Sequence, residues 1–138
     1  MAQRIVPFIG YEDAASAIGW LERAFGFTED PSARYEEGGT IGHAELGIGD
    51  ARVYVSTPDG YSNPLHVRES SELARRAYDN VWVIDGHFVE VDDVDTHCRR
   101  AREAGATILR DLAEPGIGFR IYTAEDPEGH RWMFGQRL

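Results

Sequence analysis

Two stretches of this chain follow one grammar, and that internal repeat constrains the fold more than any other feature. YEDAASAIGWLERAFGF (Tyr11 to Phe27) and VDDVDTHCRRAREAGAT (Val91 to Thr107) each leave a short apolar strand through an acidic pair, run on as a helix and stop at a glycine. In the first copy RIVPFIGY is the strand, with Pro7 marking an edge or a bulge. Asp13 caps a helix whose stripe is Ala14, Ala17, Ile18, Leu21 and Phe25, and Gly26 ends it. In the second copy HFVEV is the strand and Asp92 or Asp93 is the cap. Val94, Cys98, Ala101 and Ala104 or Ala106 point inward, and Gly105 ends the helix.

Each helix is followed by three strand-like runs. FTEDPSARYEE, TIGHAELGIG and ARVYVS follow the first, and ATILRD, FRIYTAE and HRWMFG follow the second. Both halves therefore spell βαβββ. The fold class is α+β, in one domain of two modules, residues 1–57 and 86–138, joined by a polar connector over 58–85 with a helical patch, SSELARRAY. A βαβββ half has one sheet face covered by its helix and the other bare. Two halves can align into a curved, open barrel with a concave pocket.

Alternation assigns the pocket face. Val89 and Val91 pack on the helix, leaving Phe88 and Glu90 toward the cavity. Ala44, Leu46 and Ile48 are buried, leaving His43 and Glu45 on the other face. Arg120 and Tyr122 share a face, taken as the cavity side. These assignments invert on a one-residue slip.

DAASAIGWLERAFGF, GHAELGIGDARVYV, VEVDDVDTHCRRAREAGAT and GFRIYTAEDPEGHRWMF, in that order, resemble the vicinal oxygen chelate superfamily, in its glyoxalase/bleomycin-resistance-like branch. The resemblance implies paired βαβββ modules, a homodimer, and pockets formed where modules meet. It also implies, for the family's metal enzymes, His and Glu ligands on the first and last strands of each module. Carried over, those positions fall on Val6, on Val53 or Tyr54, on Gly86 with His87 one residue away, and on Met133. Valine and glycine side chains offer no lone pair, and a thioether suits soft metals such as Cu(I). The resemblance thus supports the fold and argues against the glyoxalase reaction.

The expected function is metal-independent binding of a small drug- or metabolite-like molecule, by sequestration or carriage, with no cofactor and no catalytic residue. Phe88, Tyr122 and Trp82 supply stacking, joined by Phe8 and Tyr54, at about 0.5–2 kcal/mol for each good ring contact. Glu45, Glu90 and Arg120 orient polar groups, His43 pairs with Glu45 or touches the ligand, and Met133 lines the pocket. The competing reading is an enzyme with a non-standard metal site at His43, Glu45 and Glu90. His66 and His97 read as surface residues, and Trp20 and Trp132 as core.

Composition removes other classes. A net charge of −10 opposes a phosphate-tracking surface, and no apolar run approaches the roughly 20 residues needed to cross a bilayer, so neither nucleic acid nor membrane is an expected partner. One cysteine, Cys98, and no export signal at the amino terminus point to the cytoplasm. No Gly-x-Ser-x-Gly, phosphate loop, dinucleotide fingerprint or Cys/His nucleophile arrangement is present.

Overall fold

The computed structural model describes residues 3–80 and 86–138. Two curved sheets carry the two modules. The first contains β1 (Phe8–Gly10), β2 (Thr28–Glu29), β3 (Tyr35–Glu37), β4 (Thr40–Ile48) and β5 (Ala51–Ser56), in the order β1-β5-β4-β2 with β3 also on β4. The second contains β6 (His87–Glu90), β7 (Thr107–Ala113), β8 (Phe119–Glu125) and β9 (Arg131–Arg137), in the order β6-β9-β8-β7. In both, the strand before the helix pairs parallel with the last strand of its module and stands at the edge. The repeat in the sequence is a repeat in topology.

Helices α1 (Ala14–Phe25) and α4 (Val94–Glu103) form where capping and periodicity place them. Asp13 and Asp93 each accept the amide three residues on, from Ser16 and Thr96, and Gly26 takes the left-handed conformation (φ 80°) that stops α1. Their apolar stripes pack on one face of each sheet and on each other, so one core runs through both modules. Ala14, Leu21 and Phe25 meet Val94, Cys98, Ala101, Tyr122, Trp132 and Phe134 there.

Both ends of α1 are held by the second module. Glu128, in the turn before β9, accepts the amides of Glu12 (2.6 Å) and Asp13 (3.0 Å). At the other end Arg100 of α4 donates to the carbonyls of Glu22 and Arg23, both at 2.8 Å. Carbonyls left over at a helix C-terminus favour a cation there, so Arg100 is a cap across modules. Trp20 Nε1 donates to Ala104, and the Tyr11 hydroxyl donates to the buried carboxylate of Asp126 at 2.6 Å.

Three expectations change in detail. RIVPFIGY narrows to β1, although Pro7 still accepts the amide of Tyr54. FTEDPSARYEE is broken by a 3-10 turn at Pro31–Ala33, where the side chain of Asp30 takes the amide of Ser32 and turns the chain. The connector holds two short helices, α2 (Pro64–Ser70) and α3 (Glu72–Tyr78), capped by Asn63 and Ser71. They dock on the second module through Glu125, which pairs with Arg68 of α2 and Arg131 of β9.

Candidate functional site

The strand registers decide which side chains share the face away from the helices. In the first sheet Tyr54 lies opposite both Phe8 and Glu45, with His43 two residues along β4, while Ala44, Leu46, Val53 and Val55 fill the core. Phe8 is 60% exposed, so this face is open. The His43 ring meets Tyr54 edge-on at 5.0 Å, and its Nε2 lies 3.0 Å from Glu45.

In the second sheet Phe88 lies opposite Met133, and Glu90 opposite Gly135. A Cβ on Gly135 would sit 2.6 Å from the Phe88 ring, so the glycine lets that ring lie flat against the strand. Phe88 meets Phe119 edge-on at 5.1 Å, and the Arg137 guanidinium covers Phe119 at 4.5 Å while pairing with Glu90 at 2.7 Å. Phe119 and Arg137 belong to this face and were not among the residues expected there.

Two expected residues lie elsewhere. Tyr122 is opposite Phe134 and fully buried on the α4 side, its hydroxyl on His97, so it stacks on core rings rather than on a ligand. Arg120 shares that side and pairs with Asp95 of α4 at 2.8 Å. The register of β8 is one residue out of phase with the expectation, and it is fixed by Trp132 and Phe134 across the ladder. Trp82 falls outside the described residues. Nor do His43, Glu45 and Glu90 converge: the first two are on one sheet, and Glu90 is committed to Arg137 on the other. Among the described residues no three His, Cys, Asp or Glu side chains are grouped as a metal site.

His97, expected at the surface, is largely buried at the seam. A carbonyl can only accept, so its Nε2 donates to Phe25 at 2.7 Å, and its Nδ1 takes the Tyr122 hydroxyl at 2.6 Å. Both ring nitrogens are used, which leaves it a structural pin. Burial holds its pKa below the ordinary histidine value. A base that is depressed in the folded state takes its proton more readily when unfolded. Its stabilisation is therefore present above a pH of about 6.5 and lost as pH falls through the folded value. Urea unfolding of the wild type should show stability falling over that window. The drop should be reduced in His97→Phe, and an identical pH dependence would refute the assignment.

One cleft, of about 930 Å³, is lined from both modules: by Val6 and Pro7 before β1, by Arg52 and Val53 of β5, and by Gly86, Phe88 and Glu90 around β6. Of the expected ligand-contacting residues, Phe88 and Glu90 reach this cleft. Phe8, Tyr54, His43, Glu45 and Met133 stand on the open sheet faces that flank it.

The positions that correspond to metal ligands are also placed. Val6 and Gly86 line the cleft, the Met133 methyl lies 3.2 Å from where a Gly86 Cβ would be, and Tyr54 rather than the buried Val53 faces outward. His87 is on the other side of β6, 5.0 Å from Trp132, and so does not supply the third position. Val6, Tyr54, Gly86 and Met133 offer at most a phenol and a thioether. That donor set does not fit a divalent ion of the kind that His and Glu hold.

The family model described as Glyoxalase/Bleomycin resistance protein/Dioxygenase superfamily matches residues 4–134. The chain belongs to that superfamily. Among solved structures it is similar to TioX from Micromonospora sp. ML1, at 31% identity over 99% of this chain and 97% of that one, with a TM-score of 0.71. It also shares the fold of a bleomycin resistance determinant encoded on the transposon Tn5, at 19% identity over 99% and 98% of the two chains, TM-score 0.66. Among curated proteins, the uncharacterised Mb0911c of Mycobacterium bovis is 29% identical over 130 residues, 94% of this chain and 80% of its own. The superfamily's paired-module architecture is the one the two sheets and their helices display.

Proposed function

We propose that this protein binds a small organic molecule of drug or metabolite type in the cleft and on the open sheet faces beside it, and acts by sequestration or carriage. The observation that carries the reading is the character of those faces. Phe8 and Tyr54 on one sheet and Phe88, Phe119 and Met133 on the other present apolar and aromatic surface, next to side chains unsuited to a metal. Rings of this kind, with His43, Glu45, Glu90 and Arg137 at their margins, suit a planar or partly apolar ligand held by stacking and oriented by a few polar groups. Binding of that sort needs no metal, cofactor or catalytic residue. The likeness to a bleomycin resistance determinant favours an antibiotic among possible ligands.

Exposed rings of the first module favour a homodimer, in which a second copy would cover part of Phe8 and Tyr35, both more than half exposed in the single chain. Cytoplasmic residence agrees with the single buried cysteine. No described helix is long and apolar enough to cross a membrane.

The reading is tested by calorimetric titration with bleomycin and a panel of planar aromatic drugs. At least one is expected to bind, and Phe88→Ala and Tyr54→Ala should each weaken it by about 3- to 10-fold, the worth of one good aromatic contact. A panel that never binds, or binding indifferent to both substitutions, would sink the reading.

A further inference from the structure

The cleft is bordered by two strand edges that no strand pairs among the described residues, and their phase can be read from the ladders. In β1 the Pro7 carbonyl accepts the amide of Tyr54, and the Tyr11 amide donates to Ser56, both at 2.9 Å. Residues 7, 9 and 11 therefore bond to β5, and the peptide groups of Val6, Phe8 and Gly10 turn the opposite way. In β6 the Val91 amide donates to Gly135 at 2.9 Å, so residues 87, 89 and 91 bond to β9. The N–H and C=O of Phe88 and Glu90 then point outward. β1 and β6 are the outer strands of their sheets and do not pair with each other. The outward carbonyl of Gly10 is taken by His130 Nε2 at 2.6 Å, and His130 belongs to the second module. That bond shows that the free edge of β1 is turned toward the second module. The outward peptide groups of Val6, Phe88 and Glu90 find no hydrogen-bond partner among the described residues, and all three residues line the cleft.

We propose that this cleft recognises the amide backbone of an extended ligand, such as a short peptide or another chain of secondary amides, by hydrogen bonds to the two unpaired edges. The proposal deepens the small-molecule reading above and rests on it. An open edge invites strand pairing of any kind, which is why proteins usually blunt or cover it. Here the edges are recessed between two modules, where a thin extended chain fits better than the edge of another sheet. Main-chain pairing would supply affinity, and the Phe88 ring alongside would supply selection for an aromatic side group. A ligand without amides would strip water from these groups and leave them unpaired, which costs binding. The volume, about 930 Å³, is that of a small-molecule pocket. The outward groups from Gly86 to Glu90 repeat every second residue over about 13 Å, the reach of roughly four residues of ligand.

The probe is a terminally blocked, uncharged tetrapeptide of alternating Val and Phe, compared with a twin N-methylated at alternate amides. Calorimetry on the full chain should show the parent binding at least about tenfold more tightly than the twin, as expected when a donor is removed and its partner left unsatisfied. Hydrogen exchange at Phe88 and Glu90 should slow with the parent only. Glu90→Pro, which removes an outward N–H but no ladder bond, should weaken the parent by a similar factor relative to Glu90→Ala, which loses the same carboxylate and keeps the N–H. Should Glu90→Pro fail to fold, the twin measured on the wild-type chain decides. Equal binding of parent and twin overturns the proposal. So does protection of Phe88 and Glu90 that grows with protein concentration alone, because a second copy of the chain would then occupy the edge. If the aromatic drugs bind and the peptide does not, the backbone proposal fails and the small-molecule reading stands. If nothing binds, both fail.

Discussion

Replacing Phe25 with alanine is expected to lower the free energy of unfolding by about 3–5 kcal/mol, enough to approach the whole stability of a modest domain. Phe25 leaves α1, in the first module, but most of its aromatic neighbours belong to the second. Its ring lies 4.6 Å from Phe134, 5.7 Å from Trp132 and 6.1 Å from His97, with Trp20 of its own helix at 4.9 Å. It is fully buried. The cavity left by alanine would be walled by rings from both modules, and such walls collapse poorly because moving one disturbs the register of β8 and β9. Urea unfolding followed by far-UV circular dichroism measures the loss. A cost below about 1 kcal/mol would mean that the modules do not share a core in the way these contacts require.

Glu125→Ala should cost a comparable amount, about 3–5 kcal/mol, for an electrostatic reason. The carboxylate is 7% exposed and lies between two guanidiniums, Arg68 at 2.9 Å and Arg131 at 3.4 Å. Both cations also stand over the Tyr78 ring, at 4.8 and 5.0 Å, and Arg131 donates to the carbonyls of Tyr78 and Asn80. One carboxylate thus balances the two cations that fasten α2 and α3 to the second module. Without it two half-buried guanidiniums face each other, and the connector is expected to detach before the modules unfold. Limited proteolysis should then cut between residues 64 and 78 under native conditions, and Glu125→Gln should fall between wild type and alanine. Unchanged resistance to protease in Glu125→Ala would contradict this role.

The repeat was legible in the sequence because both copies carry the same local signals. Asp13 and Gly26 bound one helix, Asp93 and Gly105 the other, and the stripe of Val94, Cys98 and Ala101 is buried as periodicity requires. The faces of β4 and β6 were legible too, since Ala44 and Leu46 alternate with His43 and Glu45, and Val89 alternates with Phe88 and Glu90. β8 was not. FRIYTAE is mixed on both faces, with Phe119, Ile121 and Thr123 on one and Arg120, Tyr122 and Ala124 on the other. Alternation alone therefore cannot choose between them. The pairing with Trp132 and Phe134 makes the choice, and it puts Phe119 rather than Tyr122 on the open face. His97 read as a surface residue because its backbone partner is a carbonyl on another helix, 72 residues away. No local pattern reports a contact of that kind.

The most direct test of the central claim, an aromatic binding cleft in a fold whose metal positions hold Val6, Tyr54, Gly86 and Met133, is metal stoichiometry. Tag-free protein would be incubated with Zn, Ni, Mn and Fe(II), desalted, and measured by elemental analysis. No ion retained above background is the predicted result. One tightly held ion per chain would contradict it, because these four side chains cannot hold one and an enzyme's metal site would have to lie elsewhere in the chain.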